Sequence, residues 1–373
     1  MTGSIAFING TILGGDGGTS LRVEDGRVVA ADSGGAADRT IDLAGGWLVP
    51  GFIDTQVNGG GGVLFNDDPS VETIARIGAA HRPFGTTAFL PTLISDTLDQ
   101  VDAAMRAVEQ AIAEGVPGVV GIHIEGPFLS PARKGTHDAA HFRTLDDAAI
   151  RLLGSLKHGR TLVTLAPELC SWADIRALRA AGVIVAAGHT DADHATMREA
   201  IAAGVTGVTH LFNAMSPLSH RAPGVVGAVL DDQTIYAGII VDGRHVDPVA
   251  LRIALAARPH DRFMLVTDAM PTVGSATKTF TLQGKTIRVA NGVCVEADGT
   301  LAGSDLDMAT AVRNAVGMLG LSLDDAAMMA ATAPAAFLDL DGYGSLRPGA
   351  RADMVWLDAD LKPQATWIEG AAS

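Results

Sequence analysis

Three side chains of the kinds that bind divalent metals stand at the ends of apolar runs of β-strand length: Glu125, His189 and His210. One carboxylate and two imidazoles suit a zinc-like ion, and three protein ligands leave one coordination position open for water, which is typical of catalytic rather than structural sites. A single histidine at a strand end is more often an ordinary hydrogen-bonded residue. Three candidate ligands at the same end of nearby strands favour a metal site.

A fourth polar side chain, Asp268, closes the apolar run that begins at Phe263. A carboxylate at the end of such a run must be hydrated, paired or used chemically. Accepting a proton from a water beside the metal is the use that we expect. The alternative, an N-cap for a following helix, is weakened by Pro271 and Gly274, which suit a loop better than a regular first turn.

Continuous apolar runs that alternate with amphipathic stretches indicate parallel strands buried on both faces. The amphipathic stretches include Thr97–Glu114, Asp193–Ala203 and Pro248–Ala257. Eight such units predict an α/β fold, a (β/α)8 TIM-like barrel with its chemistry at the C-terminal ends of the strands. The eight runs are Val49–Gln56, Thr86–Leu93, Val119–Glu125, Leu162–Glu168, Val183–His189, Val208–Phe212, Ile235–Asp242 and Phe263–Asp268.

The two ends of the chain share a different sequence pattern, which predicts short strands of alternating polarity separated by glycine turns. We therefore expect residues 1–50 and 346–373 to form one small β domain, a β-sandwich, with the barrel in residues 51–345. After the eighth run, Thr279–Gly303 is typical of glycine-punctuated hairpins, and Asp305–Leu319 and Leu323–Leu338 are typical of helices.

Composition limits the possible partners. The 373 residues carry a formal net charge of −15, which argues against binding nucleic acid or an anionic membrane. The two cysteines, Cys170 and Cys294, exclude a disulfide framework and a cysteine-rich zinc site. Because the N-terminus lacks an apolar signal core and no apolar run reaches about 18 residues, a cytoplasmic protein is expected.

Several longer motifs resemble one enzyme family. Those at the two ends resemble the amidohydrolase superfamily, and those between them resemble its N-acetylglucosamine-6-phosphate deacetylase family. The resemblance covers essentially the whole chain. The motifs are Leu48–Asp54 (LVPGFID), His123–Phe128 (HIEGPF), Lys134–His137 (KGTH), Ala187–Thr190 (AGHT), His210–Met215 (HLFNAM), Val266–Ala269 (VTDA) and Gly344–Asp353 (GSLRPGARAD).

The resemblance implies a role for each matching residue. It implies one divalent metal per subunit, zinc or in some members iron, bound by Glu125, His189 and His210, with Asp268 as the catalytic acid and base. His137 would act in catalysis by hydrogen-bonding the acetyl oxygen of the substrate. The remaining substrate contacts would be Asn213, the backbone of Ala214, Arg221, His245 and Met308. The resemblance also implies a homodimer, in which Arg221 reaches into the neighbouring subunit's site.

The residues themselves agree with a phosphate ligand. A chain of this negative charge must gather its cations to bind phosphate, and Arg221, Arg244 and His245 follow the sixth and seventh runs. The alternative is that the two arginines are ordinary solvated surface charges.

One departure from the superfamily pattern concerns a second metal. Many amidohydrolases carry His-x-His after the first strand, but this chain has Gln56-Val57-Asn58, and its fourth run contains no lysine that could bridge two metals. Neutral amides are poor zinc ligands beside imidazole and carboxylate. The departure argues against a second metal and leaves Gln56 and Asn58 as candidate contacts to such a metal or to water.

The resemblance implies hydrolysis of N-acetylglucosamine 6-phosphate to glucosamine 6-phosphate and acetate by metal-activated water. The composition leads us to expect no nucleic-acid or membrane partner. Two alternatives remain open at this stage. One is an amidohydrolase that acts on another N-acyl amino sugar or an N-acyl amino acid. The other is a non-catalytic sugar-phosphate binder, which the presence of Glu125, His189, His210 and Asp268 disfavours because a binder needs no proton-transfer set.

Overall fold

The computed structural model describes residues 3–30, 35–290 and 292–372. The predicted domain boundaries and hairpin region include positions 1–2, 31–34, 291 and 373, which lie outside the described residues.

Eight parallel strands, named β1 to β8 here, form one sheet in the order of the chain. They are almost entirely buried, as expected for strands with helices outside and packed side chains inside. The predicted (β/α)8 barrel is therefore confirmed. The bounds are β1 Phe52–Val57, β2 Thr86–Ile94, β3 Gly121–Glu125, β4 Arg160–Leu165, β5 Ile184–Ala187, β6 Gly207–Val208, β7 Tyr236–Ile239 and β8 Phe263–Leu265.

The seam between β8 and β1 is closed by a few specific contacts. Val57 forms a single parallel bridge with Ala269. Below it, the buried Asp54 carboxylate accepts hydrogen bonds from the Thr267 hydroxyl (2.5 Å) and the Thr267 backbone N–H (3.3 Å). The side chain of Asp54 thus joins the first strand to the segment that leads into Asp268.

The helices lie where amphipathic stretches end at good capping residues. Thr97, Asp193 and Asp247 each accept a backbone N–H of the helix that follows, which satisfies one of its free donors. The predicted single helix over Leu323–Leu338 is instead two α-helical pieces joined by a π-helical turn, Met328–Thr332. The α-helices are Val71–His81, Leu98–Ala113, Asp147–Leu153, Trp172–Ala180, His194–Ala203, Gly224–Asp231, Pro248–Ala257, Met308–Leu319, Leu323–Ala327 and Ala333–Phe337. Among the described residues, no helix is long and apolar enough to cross a membrane.

The two ends of the chain form a pair of small sheets with a shared core of their own. The predicted run Val49–Gln56 is wrong as a single strand, since the chain breaks at Gly51 and leaves Trp47–Pro50 in the terminal sheet. Leu346 packs in the terminal core. The domain boundaries expected at residues 50 and 346 stay predictions. One sheet holds Ile5–Ile8, Leu21–Glu24, Arg27–Val29 and Arg39–Asp42, and the other holds Thr11–Ile12, Trp47–Pro50, Met354–Leu357, Pro363–Ile368 and Ala371–Ala372.

A further small antiparallel sheet, which we call the hairpin insert, follows β8 and spans residues 279–304. It packs a separate apolar core against Ile94 and Met270 at the C-terminal end of the barrel. The insert consists of Thr279–Leu282, Lys285–Ala290, Val293–Val295 and Leu301–Ser304, paired in that order.

Candidate active site

The three predicted metal ligands meet at the C-terminal mouth of the barrel. Glu125 is the last residue of β3, and His189 and His210 each lie two residues beyond the end of β5 and β6. Each imidazole Nε2 lies 3.0 to 3.1 Å from Glu125 Oε1, and the two Nε2 atoms are 3.1 Å apart. All three residues are buried. The three donor atoms therefore converge on one point inside the protein.

This donor set fits a divalent ion. In a tetrahedral zinc site with bonds near 2.0–2.1 Å, neighbouring donors lie about 3.3 Å apart, which is close to the spacing found here. The Nδ1–H of His189 donates to the backbone carbonyl of Arg133 (2.9 Å), so its Nε2 lone pair faces the cluster. Such a second hydrogen bond commonly fixes the orientation and tautomer of a metal-binding histidine.

The charge on Glu125 is favoured by its neighbours. Burial acts to raise the pKa of Glu125, but the hydrogen bonds and charges of His189 and His210 hold that pKa well below its usual range. The side chain is therefore a carboxylate, the form that binds metal.

Three of the candidate site residues share an unusual backbone conformation. His189, His210 and Asp268 all have left-handed φ angles, of 48°, 31° and 51°. Non-glycine residues seldom adopt this conformation, and it costs free energy that the surrounding structure must supply. The chain turns sharply just after each strand, which directs these side chains over the centre of the barrel instead of along its wall.

Asp268 lies beside the three candidate metal ligands and is held by amide donors. Asn58 Nδ2 donates to its Oδ1 at 2.7 Å, and Gln56 Nε2 lies 3.2 Å from the same oxygen and 3.1 Å from Glu125 Oε2. Burial, followed by the nearby charge of Glu125, raises the pKa of Asp268 to about 6. A base with a pKa near neutrality suits proton transfer at physiological pH. No helix begins at Asp268, so the N-cap alternative is wrong.

Removing the Asn58 donor should move the pH profile of a reaction that uses Asp268 as its base. The hydrogen bond favours the charged carboxylate, so Asn58→Leu should raise the pKa of Asp268. Activity needs the deprotonated form, and the acidic limb of the kcat/KM profile should shift to higher pH by about one to two units, since a hydrogen bond to a charged group contributes about 1.5–3 kcal/mol.

The measurement is kcat/KM against pH for Asn58→Leu and for Asn66→Leu as the matched control. Asn66 lies in the same region and bonds to Ile94 and not to Asp268. An acidic limb that stays at its wild-type position in Asn58→Leu would contradict the assigned contact.

His137 lies against His189, one of the three candidate metal ligands, and the two ring centroids are 4.4 Å apart. The Ser95 backbone N–H donates to His137 Nδ1 (3.4 Å), and the Ser95 hydroxyl is 2.8 Å from the same atom. Because Nδ1 accepts a hydrogen bond, the neutral ring carries its proton on Nε2. Burial, then the charge of His189, lowers the pKa of His137 to about 3. The ring is therefore a neutral N–H donor at physiological pH.

The cavity over this cluster has a volume of about 330 Å³ and is lined by Asn213, Ala214 and His245 among others. The side-chain nitrogen of Asn213 is buried without a partner in the described part of the chain, so a hydrogen-bond donor is available there. His245 Nδ1 contacts Asp242 Oδ2 at 2.6 Å, which leaves its Nε2 for a ligand. Although burial acts to raise the pKa of Asp242, hydrogen bonds from His245 lower it.

Four other predicted site residues lie outside the cavity wall. Arg221 is exposed on the loop that precedes helix Gly224–Asp231, and it is not among the lining residues. Met308 is completely buried at the start of a helix and does not line the cavity either. Gln56 and Asn58 lie behind Asp268, where they donate to carboxylates. Their predicted contacts with substrate, metal or water stay predictions.

The sequence analysis assigned no role to Arg133, Ser95 or Asp242. Arg133 is the one arginine or lysine that lines the cavity within the described ranges, and its Nε contacts Asp191 at 2.8 Å. Ser95 follows the second apolar run, and Asp242 closes the seventh. The rule that singled out Glu125 also applies to both, because each is a polar residue at a strand end.

Comparison with known proteins gives consistent matches. The Amidohydrolase family model matches residues 47–372. An N-acetylgalactosamine-6-phosphate deacetylase from Shewanella sp. (strain ANA-3) is 45% identical over 358 residues, which cover 94% of this chain and 90% of that protein. The human N-acetylglucosamine-6-phosphate deacetylase is 40% identical over 355 residues, which cover 90% of this chain and 85% of the human protein.

A solved structure shows the same architecture. The crystal structure of N-acetylglucosamine-6-phosphate deacetylase from Pasteurella multocida has a TM-score of 0.95 and 35% sequence identity, and the match covers 99% of both chains. The family resemblance expected from the motifs is therefore confirmed over nearly the whole length. On this match of sequence and fold, the chain belongs to the amidohydrolase family.

Proposed function

We propose that this chain is a metal-dependent deacetylase that hydrolyses N-acetylglucosamine 6-phosphate to glucosamine 6-phosphate and acetate. The observation that carries the proposal is the joint placement of Glu125, His189, His210, Asp268 and His137 around one cavity. This set supplies metal ligands, a proton acceptor and a hydrogen-bond donor for a carbonyl oxygen, which together suit amide hydrolysis. The family membership and the names of its relatives support the same reaction.

The proposed cofactor is one divalent ion per subunit, zinc or alternatively iron. Bound at Glu125, His189 and His210, such an ion supplies Lewis-acid polarisation of the acetamide and lowers the pKa of water. A second ion is not part of the proposal, because Gln56 and Asn58 use their amide nitrogens as donors to carboxylates.

Asp268 and His137 would have separate roles in cleaving the amide bond. Asp268 takes a proton from the attacking water and gives it to the departing amine, which turns the amine into a good leaving group. The Nε2–H of His137 donates to the carbonyl oxygen as negative charge develops on it, and one such donor typically contributes a factor of about 10²–10³ in rate.

Asn213, the backbone of Ala214 and His245 are the proposed contacts to the sugar phosphate. Arg221 is proposed to act in the partner's site of a homodimer, since its exposed position in one chain leaves it free to project outward. Large exposed apolar side chains support such an interface: Leu218 on the same loop, and Val249 and Ile253 on the helix Pro248–Ala257. The two free cysteines support a reducing, cytoplasmic location.

N-acetylgalactosamine 6-phosphate is the second candidate substrate. It differs from the first candidate in the configuration at one hydroxyl carbon, and the Shewanella relative is named for it. The catalytic roles given above are the same for either sugar.

Acetate release should depend strongly on the 6-phosphate. If charged hydrogen bonds hold the phosphate, removing it should lower kcat/KM by about 100-fold or more, because each such bond contributes about 1.5–3 kcal/mol. The assay compares both hexosamine 6-phosphates, unphosphorylated N-acetylglucosamine and an N-acetyl amino acid. Equal turnover of the phosphorylated and free sugars would contradict the proposed phosphate contacts. Acetate release only from the N-acetyl amino acid would favour the alternative of an amidohydrolase that acts on N-acyl amino acids.

Arg221→Ala provides the matched test of the phosphate contact. It should lower kcat/KM for the phosphorylated sugar and leave the free sugar unaffected. Arg151→Ala, an exposed arginine on the helix Asp147–Leu153, is the control. Sedimentation measures the dimer directly, and a monomer with full activity would overturn the cross-subunit role.

A further inference from the structure

The last strand of the hairpin insert is fastened to the segment that carries Asp268. The Ser304 backbone N–H donates to the Asp268 carbonyl at 2.8 Å, and the Met270 N–H donates to the Ser304 carbonyl at 3.0 Å. The Ser304 hydroxyl also donates to the carbonyl of Thr267 at 2.5 Å. Three hydrogen bonds therefore tie the last strand of the insert to the backbone around Asp268.

The far end of the insert is fastened to the loop that carries His137. Glu296 Oε1 accepts a hydrogen bond from the Thr136 hydroxyl at 2.9 Å, and Thr136 immediately precedes His137. Lys285 Nζ contacts both carboxylate oxygens of Glu296 at 3.0 and 2.9 Å. Glu296 is only 8% exposed, so its charge depends on these two partners.

A third contact joins the insert to Ser95, the residue that contacts the His137 ring. Gln283 Nε2, at the turn of the first hairpin, donates to the backbone carbonyl of Ser95 at 3.3 Å. Ser95 is the residue whose N–H and hydroxyl contact His137 Nδ1. The insert thus contacts two residues that position His137. Thr136 is bonded to His137 along the chain, and Ser95 contacts its ring by hydrogen bonds.

We propose that Glu296 is a positioning residue that sets the distance between His137 and Asp268. It does so by fastening the hairpin insert, which is bonded to Asp268, onto the loop of Thr136. The insert and this loop also share the cavity wall, because Thr300 and Leu301 on the insert line the cavity together with Gly135 and Thr136. This inference rests on the proposed function, since it concerns two groups that the proposed reaction needs at a fixed separation. Neither group is touched by Glu296 directly.

Breaking the connection should lower kcat more than it changes KM. A misplacement of about 1 Å between catalytic groups can cost up to about 100-fold in rate, so Glu296→Ala is expected to lower kcat by about 10- to 100-fold. Glu296→Gln keeps an oxygen acceptor for Thr136 and should retain more activity than Glu296→Ala. Adding Thr136→Val to Glu296→Ala should have little further effect, because both substitutions remove the same hydrogen bond.

Lys278→Met is the control, since Lys278 immediately precedes the insert. Lys278 pairs with Asp305 at 2.9 Å, at the base of the insert and away from the loop of Thr136. Its removal should change kcat by less than about threefold, because the bonds of Lys278 to Asp305 and to the Thr272 carbonyl are separate from the Glu296–Thr136 hydrogen bond. Equal kcat losses in Glu296→Ala and Lys278→Met, or additive losses in the Glu296→Ala/Thr136→Val pair, would overturn the proposal.

Hydrogen–deuterium exchange separates this inference from the proposed function. Amides of residues 130–137 should exchange faster in Glu296→Ala than in the wild type or in Lys278→Met, whatever the substrate. Unchanged exchange in that segment would overturn the positioning role. A wild-type enzyme that releases no acetate from either hexosamine 6-phosphate would overturn the proposed function, and the exchange result would still decide whether Glu296 fastens the loop.

Discussion

Replacing Asp268 by asparagine should lower kcat by about 10²–10⁴-fold, the range that general acid–base catalysis contributes. Asparagine keeps the size of the side chain but cannot accept a proton from water or pass one to the amine. The effect should fall on kcat, because the proposed sugar contacts at Asn213, Ala214 and His245 are untouched. Steady-state acetate release over a range of substrate concentrations measures both parameters.

The control for Asp268→Asn is its metal content. Glu125, His189 and His210 supply the proposed ligands without Asp268, so elemental analysis should find as much metal as in the wild type. Turnover near the wild-type rate with full metal would show that Asp268 does not transfer the proton. A loss of metal together with activity would instead make Asp268 a ligand.

Removing the metal should abolish the reaction almost completely. Glu125→Gln converts the central carboxylate to a neutral amide, which is a poor ligand for zinc. A metal ion typically contributes several kcal/mol of transition-state stabilisation, so a loss of about 10³-fold or more is expected. The assay pairs elemental analysis of purified Glu125→Gln with acetate release, and Glu109→Gln on the surface helix Leu98–Ala113 is the control.

Chelation gives the same test without a substitution. Wild-type enzyme dialysed against a chelator should lose activity and regain it with added Zn²⁺ or Fe²⁺, and the more effective ion identifies the cofactor. Full activity in metal-free enzyme would contradict the proposed chemistry, and unchanged metal in Glu125→Gln would contradict the ligand assignment.

The strand-end rule predicted the metal ligands because the chemistry of a parallel barrel is local to each strand. Glu125, His189 and His210 each close an apolar run, and parallel strands bring such ends to one rim without knowledge of distant contacts. The family resemblance then implied what no run could indicate, a role for His137. The fold class and the convergence of the three candidate ligands could thus be predicted from short segments.

The contacts that shape the site could not be predicted in this way. Gln56 and Asn58 stay candidate contacts to metal or water, but their hydrogen bonds to Asp268, which lies 212 and 210 residues later in the chain, were not predicted. The contact of Glu296 with Thr136 spans 160 residues. Such pairs depend on the closed barrel and the folded insert, and no local pattern of residue types records them.

The break at Gly51 shows a second reason why strand boundaries could not be predicted from the sequence. The run Val49–Gln56 is apolar on both sides of the break, so its periodicity gives no sign that it serves two sheets. In the structure, a Cβ atom at position 51 would lie 2.2 Å from the hydroxyl oxygen of Thr87, so this place requires glycine. A glycine within a strand pattern indicates a close approach only once the neighbouring strand is known.

The sheet shared by the two ends of the chain sets an order for folding during synthesis. Val49 pairs with Val355, and the terminal core that holds Phe7 and Val23 also needs Met354 and Trp367. The strand Trp47–Pro50 therefore leaves the ribosome long before its partner strand Met354–Leu357 exists. The four N-terminal strands of the other sheet can pair with one another, but their apolar face lacks part of its core while roughly 300 residues of barrel are made. Chains that stall late in translation should expose this unfinished sheet, which makes the early strands the segment most in need of a chaperone.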